Sequence, residues 1–290
     1  MHSMVIDLSV STENSFVNTP VPSPLISASM PEIQTMNLLG IPFHCLKKEN
    51  ILLYIDHIIS QRIPRQICLA NAFTVTLAQR NAPFKRLLNQ ASLVLADGMS
   101  IVWGGQWIGL KIPERIAGPD FMEMLCADSA EKGHTVFLMG SSPENLLQLT
   151  SVLKSRWPSL MVESYSPPMC QELSEEETQH IIHQLEATKP DILFVGMTCP
   201  KQEIWIAKNL HRLQVPVCAG VGAAFDFLSG SIPRAPQWLR QSGLEWLYRL
   251  YCEPRRLWKR YLLGNAIFLS LLLKELLARK FSLKTKLLHS

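Results

Sequence analysis

The chain has 290 residues, of which 47% are hydrophobic and 18% charged, and its net charge is +4. That is ample apolar material for a globular core, in one large domain or one domain with an appendage. Its seven cysteines are odd in number and widely spaced, with no CxxC pair, which argues against a disulfide framework or zinc ribbon and for a reducing, cytosolic setting.

Residues 1–36 are rich in Ser, Thr, Pro and Asn. They lack the basic start and continuous apolar block of a signal peptide, and are read as a disordered tail. From Ile67 onward short apolar runs follow one another: Ile67–Ala70, Leu93–Ala96, Thr135–Met139, Ile192–Val195 and Val215–Ala219, with Leu160–Tyr165 as a candidate sixth. Each is short and stops at a polar residue or Gly, which suits buried parallel strands. Helical patterns lie between them, at Phe121–Lys132, Glu144–Arg156 and Glu172–Thr188. The alternation predicts an α/β domain over residues 37–232, a Rossmann-like, doubly wound and mostly parallel sheet. Turn residues at Gly230–Pro233 separate it from a helical appendage, residues 233–290, where basic residues gather.

Sheets of this kind bind ligands beyond the carboxyl ends of their strands, where Asn71, Asp97-Gly98, Gly140-Ser141-Ser142-Pro143, Gly196 and Gly220-Val221-Gly222 all fall. Asp97 there is either a general base or the acid of a plain Asp-Gly turn. Gly140 to Pro143 opens a helix with free N–H groups, suited to a diphosphate. No GxGxxG or GxxxxGK[ST] is present, which disfavours NAD and ATP. Pro200-Lys201-Gln202-Glu203 places Lys201 and Gln202 in the first turn of a helix, facing the expected cleft. Without a DxD or HExxH pattern, no metal site is expected.

In the appendage, arginines alternate with aromatics: Arg234, Trp238, Trp246, Tyr248, Arg249, Tyr251, Arg255, Arg256, Trp258, Arg260 and Tyr261. The guanidinium fork matches phosphate oxygens two at a time, and Trp and Tyr favour boundaries between apolar and wet surroundings. If Pro254 starts a helix, Arg255 and Lys259 pair at i,i+4, as do Arg256 and Arg260, giving one positive strip. The uncharged run Tyr261–Leu273 covers roughly 20 Å as a helix, short of the ~30 Å of a bilayer core. It reads either as a segment lying on an anionic leaflet or as a helix docked on the protein's own core.

Several segments taken together resemble the WecG/TagA/CpsF family of bacterial glycosyltransferases, glycosyltransferase family 26. They are Asn71, Ala96–Met99, Pro113–Asp120, Phe137–Gly140, Val195–Met197, Pro200–Glu203, Gly220–Asp226, Arg234–Pro236 and Leu244–Arg256, and the similarity runs from about Asn37 to Leu262. The resemblance implies an inverting enzyme of cell-surface polysaccharide synthesis. It would move an N-acetylmannosamine-, mannosaminuronate- or glucose-type sugar from a UDP-sugar to a polyprenyl-diphosphate-linked acceptor. It would work at the cytoplasmic face of the plasma membrane, without metal or other cofactor.

By the same resemblance Asp97 is the base and Gln202 a second catalytic residue. Asn71, Gly98, Arg115, Gly118, Asp120, Gly140, Gly196, Lys201, Glu203, Gly222 and Asp226 hold donor and substrate. Arg234, Arg249, Arg255, Arg256 and Arg260 take the diphosphate of the lipid acceptor. Two positions depart from the family pattern: Leu69, where many members have Thr, and Thr198, where Gly commonly stands. The implied partners are the UDP-sugar, the lipid-linked acceptor and an anionic membrane surface; homo-oligomerisation is left open and no nucleic acid is expected. The competing readings are an NAD-dependent epimerase or dehydrogenase of nucleotide sugars, and a non-enzymatic membrane- or nucleic-acid-binding module that would leave Asp97 and Gln202 unexplained.

Overall fold

Strands that are apolar at every position have no face to offer water. In the computed structural model, which describes residues 33–170 and 172–288, these runs become the middle layer of an α/β sandwich. An antiparallel hairpin, β1 (Thr35–Leu38) and β2 (Ile41–His44), comes first, and six parallel strands follow: β3 (Arg65–Ala70), β4 (Leu93–Ala96), β5 (Thr135–Gly140), β6 (Met161–Tyr165), β7 (Ile192–Gly196) and β8 (Val217–Gly220). Their order across the sheet is β4-β3-β8-β7-β5-β6. The helices of the body are α1 (Lys48–Gln61), α2 (Ala72–Arg80), α3 (Ala82–Gln90), α4 (Met99–Trp107), α5 (Gly118–Lys132), α6 (Pro143–Arg156), α7 (Glu175–Thr188), α8 (Lys201–Leu213) and α9 (Ala224–Ser229).

The period of two divides each strand between two cores. Ile67, Leu69, Leu93, Leu95, Val136, Leu138, Ile192 and Phe194 face α1, α5, α6 and α9. Cys68, Ala70, Val94 and Ala96 face the hairpin and α2 to α4, while Phe137, Met139, Leu193 and Val195 face α7 and α8. The candidate sixth strand is therefore real, and it forms one edge of the sheet. At the other edge β2 covers β4, and the half-buried His44 accepts the Val94 N–H on Nδ1 at 2.9 Å. Burial lowers the His44 pKa, keeping the ring neutral and able to accept. The hairpin was not anticipated. It begins at Thr35, two residues inside the segment read as a tail, whose residues 1–32 lie outside the described residues.

The appendage consists of α10 (Gln237–Gln241), α11 (Glu245–Cys252), α12 (Pro254–Trp258), a π-helical turn at Lys259–Leu263, and α13 (Gly264–Leu288). Pro254 starts a helix as expected, but the π turn interrupts the i,i+4 rows, and Arg256 and Arg260 go to different surroundings (below). The backbone is continuous past the uncharged run, so Pro254–Lys280 is long and apolar enough to cross a membrane by length and composition. The docking alternative is realised on its inner side. Phe268 and Leu272 are buried against α2 and α4, with Leu272 lying over Gly104, where a Cβ would come within 2.9 Å of it. Glu275 accepts the Leu39 N–H at 2.9 Å, and Arg279 donates to the Asn37 carbonyl at 3.2 Å, so the hairpin turn holds the helix as well. On the outer side Leu262, Leu263, Leu269, Leu273 and Leu277 stay exposed.

This two-sidedness has a measurable consequence. Phe268→Ala is expected to lower the free energy of unfolding by about 3–5 kcal/mol, whereas Leu273→Ala on the exposed strip changes it by less than about 0.5 kcal/mol, as read by urea denaturation.

Candidate active site

Asn71 is the residue from which the site is built. It leaves β3 and caps α2, its side-chain oxygen accepting from the Phe73 and Thr74 N–H groups at 3.1 and 3.2 Å. With the oxygen so committed, the amide nitrogen must point the other way, and it donates to Asp97 Oδ2 at 3.2 Å. Asp97 itself continues the parallel ladder past β4, its N–H donating to the Ala70 carbonyl at 3.0 Å. Burial raises the proton affinity of its half-buried carboxyl, and Glu245 adds to the rise. The Asn71 bond and the positive charges of Arg115 and Arg249 oppose it. A carboxylate of raised affinity, fixed at a strand end, is equipped to accept a proton.

The Pro-Lys-Gln-Glu segment is arranged differently from the expectation. Gln202 is buried, not cleft-facing: its Oε1 accepts the Gly222 N–H at 3.0 Å and its Nε2 donates to Glu203 Oε1 at 2.8 Å. A Cβ at Gly220 would lie 2.7 Å from the Gln202 amide, so glycine there makes room for it. Glu203 is buried too. Burial raises its pKa, its Oε2 has no partner, and its carbonyl accepts from Gln66 of β3 at 2.9 Å. The segment thus stitches β3 to β8 and the loop that follows it. Lys201 is exposed and donates to the Cys170 carbonyl at 3.2 Å.

Gly140 and Gly196, expected to cradle substrate, meet each other. A Cβ on Gly140 would sit 2.8 Å from the Gly196 carbonyl oxygen, and one on Gly196 would lie 2.4 Å from the Phe225 ring. Beside them Asn145 donates to Ser141 Oγ at 2.7 Å and to Asp226 Oδ1 at 2.9 Å, and accepts from Ser231 Oγ at 2.6 Å. Burial raises the Asp226 pKa against the opposing pull of Arg256 and Arg249. Gly118 begins α5 in close approach to the Val221 carbonyl, and Leu69 is buried in the core on that side. The Thr198 carbonyl accepts the Lys201 N–H at 2.8 Å.

The appendage supplies the positive charge. Arg249, with Cζ 5.0 Å above the Phe227 ring, acts on both Asp97 and Asp226. Arg260, 4.3 Å above the Phe73 ring, acts on Glu203 and Cys199. The Nε atoms of Arg240, Arg249 and Arg260 are buried without hydrogen-bond partners. Buried guanidinium donors left open are costly unless an anion completes them. Arg255 is exposed; Arg256 is also exposed and pairs with Glu253 at 2.5 Å.

Arg234, Arg115 and Asp120, assigned from the sequence to substrate, instead form one cluster with two residues not anticipated, Arg240 and Glu245. Glu245 is, with Glu253, one of two acids in the basic stretch 234–261, and that scarcity was the available signal. Among the described residues the one set of possible metal ligands, Asp56, Asp128 and His134, lies at the amino-terminal end of β5, where Lys132 Nζ already sits 2.6 Å from Asp56 and 2.7 Å from Asp128.

The chain is also similar in sequence to known proteins. The model of the glycosyl transferase WecG/TagA/CpsF family matches residues 36–282. An N-acetylglucosaminyldiphosphoundecaprenol N-acetyl-beta-D-mannosaminyltransferase of Bacillus subtilis (strain 168) is 29% identical over 231 residues, 79% of this chain and 88% of the relative. The enzyme of the same name from Bacillus spizizenii is 31% identical over 185 residues, 64% of this chain and 70% of the relative.

The environment of Asp97 also bears on stability. Because burial raises its folded pKa above the unfolded value, ionising it weakens the fold as pH climbs through that interval. Asp97→Asn is therefore expected to raise the thermal midpoint at pH 7, with the gain shrinking as pH falls towards about 4. A lowered midpoint at pH 7 would contradict the burial argument.

Proposed function

The chain belongs to the WecG/TagA/CpsF family of glycosyl transferases, and we propose that it moves N-acetylmannosamine from its UDP derivative to a polyprenyl-diphosphate-linked N-acetylglucosamine. The observation that carries this reading is the held carboxyl of Asp97 with Arg249 beside it, whose buried Nε lacks a partner. In the reaction an acceptor hydroxyl oxygen bonds to the anomeric carbon as the bond from that carbon to the diphosphate breaks. The hydroxyl proton passes to Asp97, and the bonding electrons leave with the nucleotide diphosphate. A base on one face of the sugar and a departing diphosphate on the other invert the anomeric centre.

The growing charge on the diphosphate needs fixed positive partners, and Arg249 and Arg260 are set to provide them without a divalent ion. Gln202 and Glu203 act from behind, by fixing the Gly222 loop that borders the cleft. Arg256, close enough to bias Asp226, is placed for the second phosphate-bearing substrate.

A lipid-linked acceptor requires the cleft mouth to sit at a bilayer. Exposed Trp238, Tyr251 and Trp258 and the outer leucines of α13, flanked by Arg255, Lys259 and Lys274, suit the headgroup layer of an anionic leaflet. Those features support a peripheral position on the cytoplasmic side, where nucleotide sugars are made.

Two measurements test this reading. Asp97→Asn is expected to cut transfer from UDP-N-acetylmannosamine to a synthetic lipid-diphosphate acceptor by roughly 10²–10⁴-fold, and EDTA to leave the wild-type rate unchanged; undiminished transfer by Asp97→Asn removes the base assignment. Replacing Leu262, Leu263 and Leu273 with Asn is expected to abolish co-sedimentation with phosphatidylglycerol vesicles at an unchanged unfolding midpoint. Equal co-sedimentation would place the membrane contact elsewhere.

A further inference from the structure

The five-residue ion cluster between body and appendage is the feature that the reaction scheme leaves unused. Arg115, from the loop between α4 and α5, donates to Glu245 Oε2 at 2.6 Å and to Asp120 Oδ2 at 3.3 Å. Arg234 Nη2 lies 2.6 Å from Asp120 Oδ1, its Nε is 3.5 Å from Glu245 Oε1, and Arg240 Nη1 is 3.7 Å from Asp120 Oδ1. The side chains of Arg115 and Glu245 are each 15% exposed, so this is a largely desolvated bridge and not a surface pair. It joins residues 130 positions apart in the chain.

Two further facts give the cluster a role. Glu245 and Arg249 are i,i+4 neighbours on α11 and share a face, so whatever seats Glu245 also seats Arg249 over Phe227. The charged groups facing Asp97 are Arg115 from the body and Glu245 and Arg249 from the appendage. We propose that Glu245 is a positioning residue: by binding Arg115 and Arg234 it docks α11 on the body and brings Arg249 to the cleft. The enzyme is then competent as a base only when the segment that approaches the acceptor is in place. The inference rests on Asp97 being the base.

The charges make a signed prediction. Glu245 raises the Asp97 pKa and Arg115 lowers it. Glu245→Gln, which keeps hydrogen-bonding capacity while losing charge, should move the acid limb of the kcat/KM pH profile to lower pH; Arg115→Gln should move it to higher pH. Each should also lose roughly 10–100-fold in kcat as Arg249 is misplaced, and because Arg249 too lowers the Asp97 pKa, the upward shift in Arg115→Gln should be the larger of the two. Amide hydrogen exchange across residues 245–252 should rise in Arg115→Glu and return towards wild type in the exchanged pair Arg115→Glu/Glu245→Arg. This second readout needs no activity and monitors the fold of the body in the same experiment.

If the cluster is only a clasp, both Gln variants will shift the limb the same way, towards an ordinary carboxylate, and the electrostatic role is overturned. Unmoved limbs, or exchange across α11 that the exchanged pair does not restore, overturn the proposal outright. Neither outcome touches the base assignment, which stands or falls with Asp97→Asn.

Discussion

The carboxyl-terminal edge of a parallel sheet is the constraint on which this molecule depends. Parallel pairing makes β3, β4, β5, β7 and β8 end at one side, and each must hand its chain to a loop there. Backbone groups that no longer have a ladder partner need another, and side chains at those positions have already been chosen for polarity. Asn71 meets both demands with one amide, completing a helix end with its oxygen and holding a carboxyl with its nitrogen. Gln202 does the equivalent deeper in, between the Gly222 N–H and Glu203. The reactive groups are thus a by-product of closing the sheet edge.

The electrostatics turn on which arginines stay unneutralised. Around Asp97 and Asp226 the appendage brings in Arg249 and Arg256 together with Glu245 and Glu253, and the faces of Phe227 and Phe73 hold Arg249 and Arg260 without neutralising them. Fully paired arginines would be inert towards a ligand, whereas unsupported ones would not stay buried. Stacking on a ring leaves the donor edge of the guanidinium free, which is the state a diphosphate needs. The clustered Arg115, Arg234 and Arg240 are the opposite case, spending their charge on Asp120 and Glu245 within the protein.

Most of the body was legible in the amino-acid sequence because burial on both faces writes an unmistakable pattern: Leu93-Val94-Leu95-Ala96 has no polar side to show. The hairpin was not legible, since Thr35-Met36-Asn37-Leu38 is four residues long and continues a polar stretch without a boundary signal. At the site, Asn71 and Asp97 stand just past their strand ends where the pattern put them, whereas nothing in the sequence showed that Gly140 and Gly196 pack against each other and Phe225. Gln202 and Lys201 were expected side by side in the cleft, but adjacent residues on a helix point about 100° apart, and only tertiary packing decides which turns inward. Glu245 was not legible because, in a basic stretch with Glu253 as a second acid, only the fold shows which acid meets Arg115 and Arg234.

The bond between His44 and Val94 has a consequence for association. An edge strand with free N–H groups invites another strand to pair with it, from a second copy or from an unfolding neighbour. With β4 covered by the hairpin, β6 is the remaining edge of the six-stranded sheet. It has five residues, Glu163 and Ser164 among its exposed positions, and only Val162 fully buried. A strand so short and polar is a poor template, so the large apolar surface that this protein keeps exposed for other purposes is not joined to an open sheet edge, and the commonest route from exposed leucines to ordered aggregates is closed.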